Sequence, residues 1–154
     1  MLKKLNIGIG ALDWSDDETT LVKKFPSAKK AAGKIGVDPS TGIQFQMPDT
    51  LEVTGLIPGF DHPWIIELPN GRPSRVLLYL DAPRDDWKPV WDEMNSIIQT
   101  IAKEHGFDLF ELDIDDPDRA FFWEGILVDF SVQGDTYVLS ILPSDEITAP
   151  PTAL

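Results

Sequence analysis

The chain has 154 residues, 42% of them hydrophobic, with 5 Trp, 8 Phe and 2 Tyr, no Cys, and a net charge of −13. This length fits one domain able to bury roughly two-thirds of its unfolded surface, and the apolar content excludes a disordered chain. The absence of Cys excludes disulfides, thiol nucleophiles and Cys-based zinc sites. The acidity argues against nucleic acid, because holding phosphates needs a basic surface.

The charge is uneven. Residues 1–34 hold seven Lys against four acids, so the excess of acid lies wholly downstream. Lys3-Lys4 followed by the apolar run Leu5 to Leu12 imitates the start of a signal peptide, but Asp13 breaks the run and no small-residue cleavage pattern follows. No segment approaches the ~18 apolar residues of a membrane span. A cytoplasmic protein with no membrane contact is therefore expected.

In chain order, alternation at Leu5, Ile7 and Ile9 predicts a first strand. Ser15-Asp-Asp-Glu18 matches a capping box, in which the Ser hydroxyl accepts a backbone N–H and the Glu reaches back. The helix that follows has Leu21, Val22 and Phe25 on its apolar face. Pro26 interrupts it, and Ser27 is expected to cap a second helical piece through Ala31, Ala32 and Ile35, weakened at its end by Gly33 and Gly36. Lys23, Lys24, Lys29, Lys30 and Lys34 then read as solvated helix lysines or as a basic patch.

Ile43 to Met47 alternates and predicts a half-exposed strand; Leu51 to Thr54 predicts another. Trp64 to Leu68 and Arg75 to Leu80 are stronger strand signals, joined by a loop containing Asn70-Gly71. Val90, Trp91, Met94, Ile97, Ile98 and Ile101 recur at three and four, which predicts one long helix between Asp86 and His105, capped by Asp85 or Asp86 and ended by Gly106. Phe107 to Ile114 predicts a strand whose second face turns acidic, and Asp115 to Asp118 a loop. Phe121 to Val132 reads as one long apolar strand, with Gly125 marking a bend. Gln133-Gly-Asp135 is a turn signal, Thr136 to Leu142 a partner strand, and residues 147–154 a flexible tail on a domain spanning 1–146. The class expected is α+β: a largely antiparallel sheet with one long helix and a shorter N-terminal helical region packed against it.

No pattern carries strong chemistry. Asp113, Asp115 and Glu124 take the first, third and twelfth places of a calcium loop, but Pro117 holds the fifth and Asp118 stands where Gly is needed. His62 and His105 are the only histidines and form no zinc pairing. Gly8-Ile-Gly10 begins a dinucleotide fingerprint, but Asp13 stands at the third glycine. Trp91 belongs to the helix face, and Trp87, one turn earlier, is a candidate for exposure. No catalytic residue, metal or cofactor is assigned.

The densest feature is acidic. Residues 81–118 carry 12 acids against three bases. Asp108, Glu111, Asp113, Asp115, Asp116 and Asp118 are the candidate partner-binding residues, suited to a protein with a basic surface. The helix–glycine–strand junction Ile101-Ala-Lys-Glu-His-Gly-Phe-Asp-Leu-Phe110 resembles that of small acidic immunity proteins of bacterial polymorphic-toxin systems. This resemblance implies a cytoplasmic, non-enzymatic inhibitor that binds a cognate toxin directly. Two alternatives stand beside it. One is a small metal- or sugar-binding domain or enzyme using Asp61, His62 and the Asp113–Asp118 carboxylates. The other is a structural assembly subunit. The sequence leaves the oligomeric state open.

Overall fold

A computed structural model describes residues 9–81, 85–104, 119–123 and 126–143. Its elements are α1 (Glu18–Lys24), β1 (Lys29–Ala31), β2 (Ile35–Val37), β3 (Gln44–Gln46), β4 (Thr50–Thr54), β5 (Pro63–Glu67), a 3₁₀ turn (Pro69–Gly71), β6 (Arg75–Asp81), α2 (Lys88–Glu104), β7 (Arg119–Trp123), β8 (Ile126–Gln133) and β9 (Thr136–Pro143). Seven strands form one sheet in the order β1-β4-β5-β6-β9-β8-β7, and β2 and β3 form a separate two-stranded ribbon. Every paired neighbour is antiparallel. The expected α+β class and its largely antiparallel sheet are what the chain adopts.

One face of the sheet carries the core. Period-two alternation puts Leu51 and Val53, Trp64 and Ile66, Val76, Leu78 and Leu80, Val128 and Phe130, and Leu139 and Ile141 together, and all are buried. The apolar stripe of α2 covers them with Trp91, Met94, Ile97, Ile98 and Ile101, none more than 4% exposed. Trp91 meets Phe130 edge-on at 5.5 Å and Tyr137 at 6.0 Å, joining α2 to β8 and β9. Burial raises the Tyr137 phenol above its ordinary pKa. Leu21 of α1 and its C-cap Phe25 enter the same cluster, as does Trp14, and Trp87 packs partly buried against it rather than standing exposed.

Several local expectations are corrected. The cap of α1 is Asp17, not Ser15: its carboxylate accepts the Thr20 N–H at 2.8 Å, while the Ser15 hydroxyl donates to Asp13. The segment after Pro26 is not helical. Lys29–Ala31 pairs with β4, because ladder bonds to a neighbouring strand outweigh a helix that two glycines weaken. The apolar run near the C-terminus is two strands rather than one, since Trp123 pairs with Ile126 and the chain reverses between them. Among the described residues Ile9 forms an isolated bridge with Leu12; the rest of the predicted first strand, the Phe107–Ile114 strand, Gly106 and the tail at 147–154 lie outside the described residues.

The Asp17 cap gives a pH prediction. The Thr20 backbone N–H, followed by its hydroxyl, holds the Asp17 carboxyl below its ordinary pKa. A depressed folded-state pKa contributes stability that is present above about pH 4 and is lost as pH falls through the folded value. Thermal melts of Asp17→Ala and the parent should therefore differ at neutral pH, the variant melting lower, and converge in acid. An equal gap at both ends would show that Asp17 does not act as an ionised cap.

Candidate functional site

The predicted partner-binding residues Asp108, Glu111, Asp113, Asp115, Asp116 and Asp118 all lie outside the described residues, as do His105 and Glu124. The structure does place His62. Its Nε2 lies 3.1 Å from Glu93 Oε1, tying the β4–β5 loop to α2. Its Nδ1 is buried without a hydrogen-bond partner among the described residues, and Phe60 lies beside the ring. Asp61 is exposed. Among the described residues no three His, Cys, Asp or Glu side chains converge to hold a metal, and no helix is long and apolar enough to cross a membrane. Gly10 serves packing: a Cβ there would overlap the Leu56 carbonyl oxygen.

The feature that stands out is the β2–β3 ribbon. It begins at a neck where the Gly33 N–H donates to Asp49 Oδ1 at 2.7 Å and the Met47 N–H donates to the Lys34 carbonyl. A side chain at Gly33 would collide with the Met47 carbonyl, so the neck needs glycine. The tip is a turn from Asp38 to Gly42. The Asp38 carboxylate accepts both the N–H and the hydroxyl of Ser40, at 2.8 and 2.7 Å. These bonds, the Ser40 hydroxyl first, hold Asp38 below its ordinary pKa and so ionised. Gly42 closes the turn in the left-handed region at φ 71°, donating to the Asp38 carbonyl.

Between neck and tip the register is Ile35 with Gln46, Gly36 with Phe45, and Val37 with Gln44. The Phe45 ring lies across Gly36, filling the space its missing side chain leaves. Alternation then sets Ile43, Phe45 and Met47 on one face and Ile35 and Val37 on the other. All five are exposed, Ile35 by 67% and Ile43 by 65%, so neither face of the ribbon is buried as a half-exposed strand would be. They make up five of the seven exposed large hydrophobics among the described residues.

Compared with protein-family models, with curated proteins and with solved structures, the chain has no match. The site must be read from its own chemistry. An open cleft of about 410 Å³ sits at the neck, lined in part by Met47, Pro48, Asp49, Glu67, Leu68 and Asn70. Its carboxylates are committed: Asp49 to the Gly33 N–H, and Glu67 to Arg75 at 2.6 Å. Nothing in the cleft is arranged as a nucleophile beside a base, the minimum for acyl or phosphoryl transfer.

A signal for this arm was present in the sequence. Asp38-Pro-Ser-Thr-Gly42 is a strong turn cluster flanked by two alternating apolar runs. A helix running through Ile35 would split that pattern, and the pairing of Lys29–Ala31 with β4 is what leaves Ile35–Val37 to pair with Gln44–Gln46.

Proposed function

We propose that the chain is a non-enzymatic protein-binding domain that presents the β2–β3 arm to its partner. The observation that supports this reading is the concentration of Ile35, Val37, Ile43, Phe45 and Met47, all exposed, on one ribbon held apart from the core. Single exposed hydrophobics are ordinary, but three on one face of a ribbon and two on the other support an interaction role for that ribbon. A two-stranded ribbon also leaves unpaired backbone groups on both edges, which a partner can satisfy.

The charge bears on which partner. At −13 the chain attracts a basic surface and repels acidic ones. An immunity-type inhibitor of a toxin domain with a basic active site is the specific form of this proposal. In it the acids Asp108, Glu111, Asp113, Asp115, Asp116 and Asp118 accelerate encounter and the arm supplies apolar anchoring.

The test is a binding measurement on a partner recovered from the native host. The double variant Ile43→Ser/Phe45→Ser should weaken binding at least about a hundredfold, as expected for two anchors of about 1.5–3 kcal/mol each, mainly through faster dissociation. Charge reversal at Glu111, Asp113 and Asp115 should instead slow association. A partner whose affinity ignores the arm variant would sink the role assigned to the arm.

A further inference from the structure

We propose that β2 pairs with β2 of a second copy of this chain, joining the two arms into one four-stranded antiparallel sheet. This rests on the reading of the arm as a protein-binding element and adds a contact along the free edge of β2, beside any partner that the arm's apolar side chains anchor.

Within the ribbon, the pairs that face one another through hydrogen bonds are Lys34 with Met47, Gly36 with Phe45, and Asp38 with Ile43. The N–H and C=O groups of Ile35 and Val37 therefore point away from β3, along the open edge. Among the described residues no strand pairs with that edge. An antiparallel two-fold pairing centred on Gly36 sets Ile35 opposite Val37 of the second copy and Val37 opposite its Ile35. These are the residues whose backbone groups are free, so the pairing closes four hydrogen bonds between the copies.

The side chains fit the same axis. The pairing places Lys34 of each copy opposite Asp38 of the other, in a position without backbone bonds, where side chains approach most closely. Lys34 is exposed and has no ion pair among the described residues. Asp38 is held ionised by the Ser40 hydroxyl and N–H, with Thr41 contributing after them, so it presents a negative charge to the Lys34 that the pairing sets opposite. Two opposite-charge pairs thus form across the axis on a chain whose net charge otherwise opposes self-association. On the Lys34 face, Gly36 meets Gly36 at the axis, and the Phe45 rings that lie over the glycines come together there. On the other face, the two Ile35 and two Val37 side chains form one apolar cluster. Pairing through the outer edge of β3 would bring together Gln44 and Gln46 and align no charges.

The self-complementarity follows from symmetry: an isologous contact needs each residue to suit its opposite number. The small area predicts a reversible dimer, weaker than one built on a standard interface.

Sedimentation equilibrium on the full chain, from micromolar to millimolar, tests this. The parent should dimerise. Lys34→Glu and Asp38→Lys should each weaken the dimer at least about tenfold, because both charge pairs become repulsive. An equimolar mixture of the two variants should recover association, because only the mixed dimer restores both pairs. Val37→Pro is a second check that leaves every charge in place; it removes an outward N–H from each strand and should weaken the dimer as well. A parent that stays monomeric, or a dimer unaffected by both Lys34→Glu and Val37→Pro, overturns the proposal. If the parent is monomeric yet binds a different protein through Phe45, self-pairing fails and the protein-binding reading stands. If the arm variants change neither association, both fail.

Discussion

Truncating Trp91 to alanine is expected to lower the unfolding free energy by about 3–5 kcal/mol. Trp91 is 4% exposed and stands where α2 crosses β8 and β9. Its ring meets Phe130 and Tyr137 in edge-on geometry, which adds to the area it buries. The loss should appear as a drop in melting temperature of roughly 6–20 °C for a domain of this size. Because Tyr137 owes its raised pKa to burial, the variant should also bring the Tyr137 titration down toward the ordinary phenol value. Urea melts with an absorbance titration measure both. A loss below about 1 kcal/mol would show that the neighbouring rings close the space, contrary to the usual partial relaxation of a truncated core.

The second large effect is expected at Gly10. Gly10→Ala should cost at least about 2 kcal/mol, from two separate causes. The residue sits at φ 56°, where a side chain is strained, and a Cβ would overlap the Leu56 carbonyl oxygen. Gly42→Ala is the control that separates them. Gly42 has φ 71° and open space where a Cβ would stand, so it carries only the conformational cost. The difference between the two melts measures backbone crowding against Leu56. Equal losses would show that the Leu56 backbone shifts freely, in which case the Ile9–Leu12 turn is not locked to it.

These two positions show different degrees of legibility. Trp91 is readable from periodicity alone, because Trp91, Met94, Ile98 and Ile101 recur on one stripe wherever the helix docks. Gly10 is not. The sequence places it in a Gly-x-Gly whose dinucleotide fingerprint fails at Asp13, and only the folded backbone, at φ 56° and against Leu56 46 positions away, explains the glycine.

The arm makes the same point more sharply. Its turn is local chemistry: Asp38, Ser40 and Gly42 bond to one another within five residues. Its neighbour β1 is not local. Lys29–Ala31 has lysines and alanine that favour helix, yet it takes the strand state because β4 offers it a ladder. That pairing fixes where the chain leaves the sheet at Gly33, and so sets β2 and β3 apart from the core. The reversal between β7 and β8 has a related cause. An unbroken apolar run has the same composition whether it is one strand or two, and only the pairing of Trp123 with Ile126 distinguishes them.

By itself the sequence determined the class, the long helix and its buried face, the strands β4, β5, β6 and β9, and the net negative charge. Each depends on periodicity or composition, which a chain carries without a fold. The tertiary structure alone decided that Lys29–Ala31 and Ile35–Val37 are strands, that Gly10 answers to Leu56, and that the apolar alternation at 35–47 faces water on both sides. Those outcomes depend on which distant backbone lies alongside, and exposure is a property of the packed molecule rather than of any stretch of its sequence.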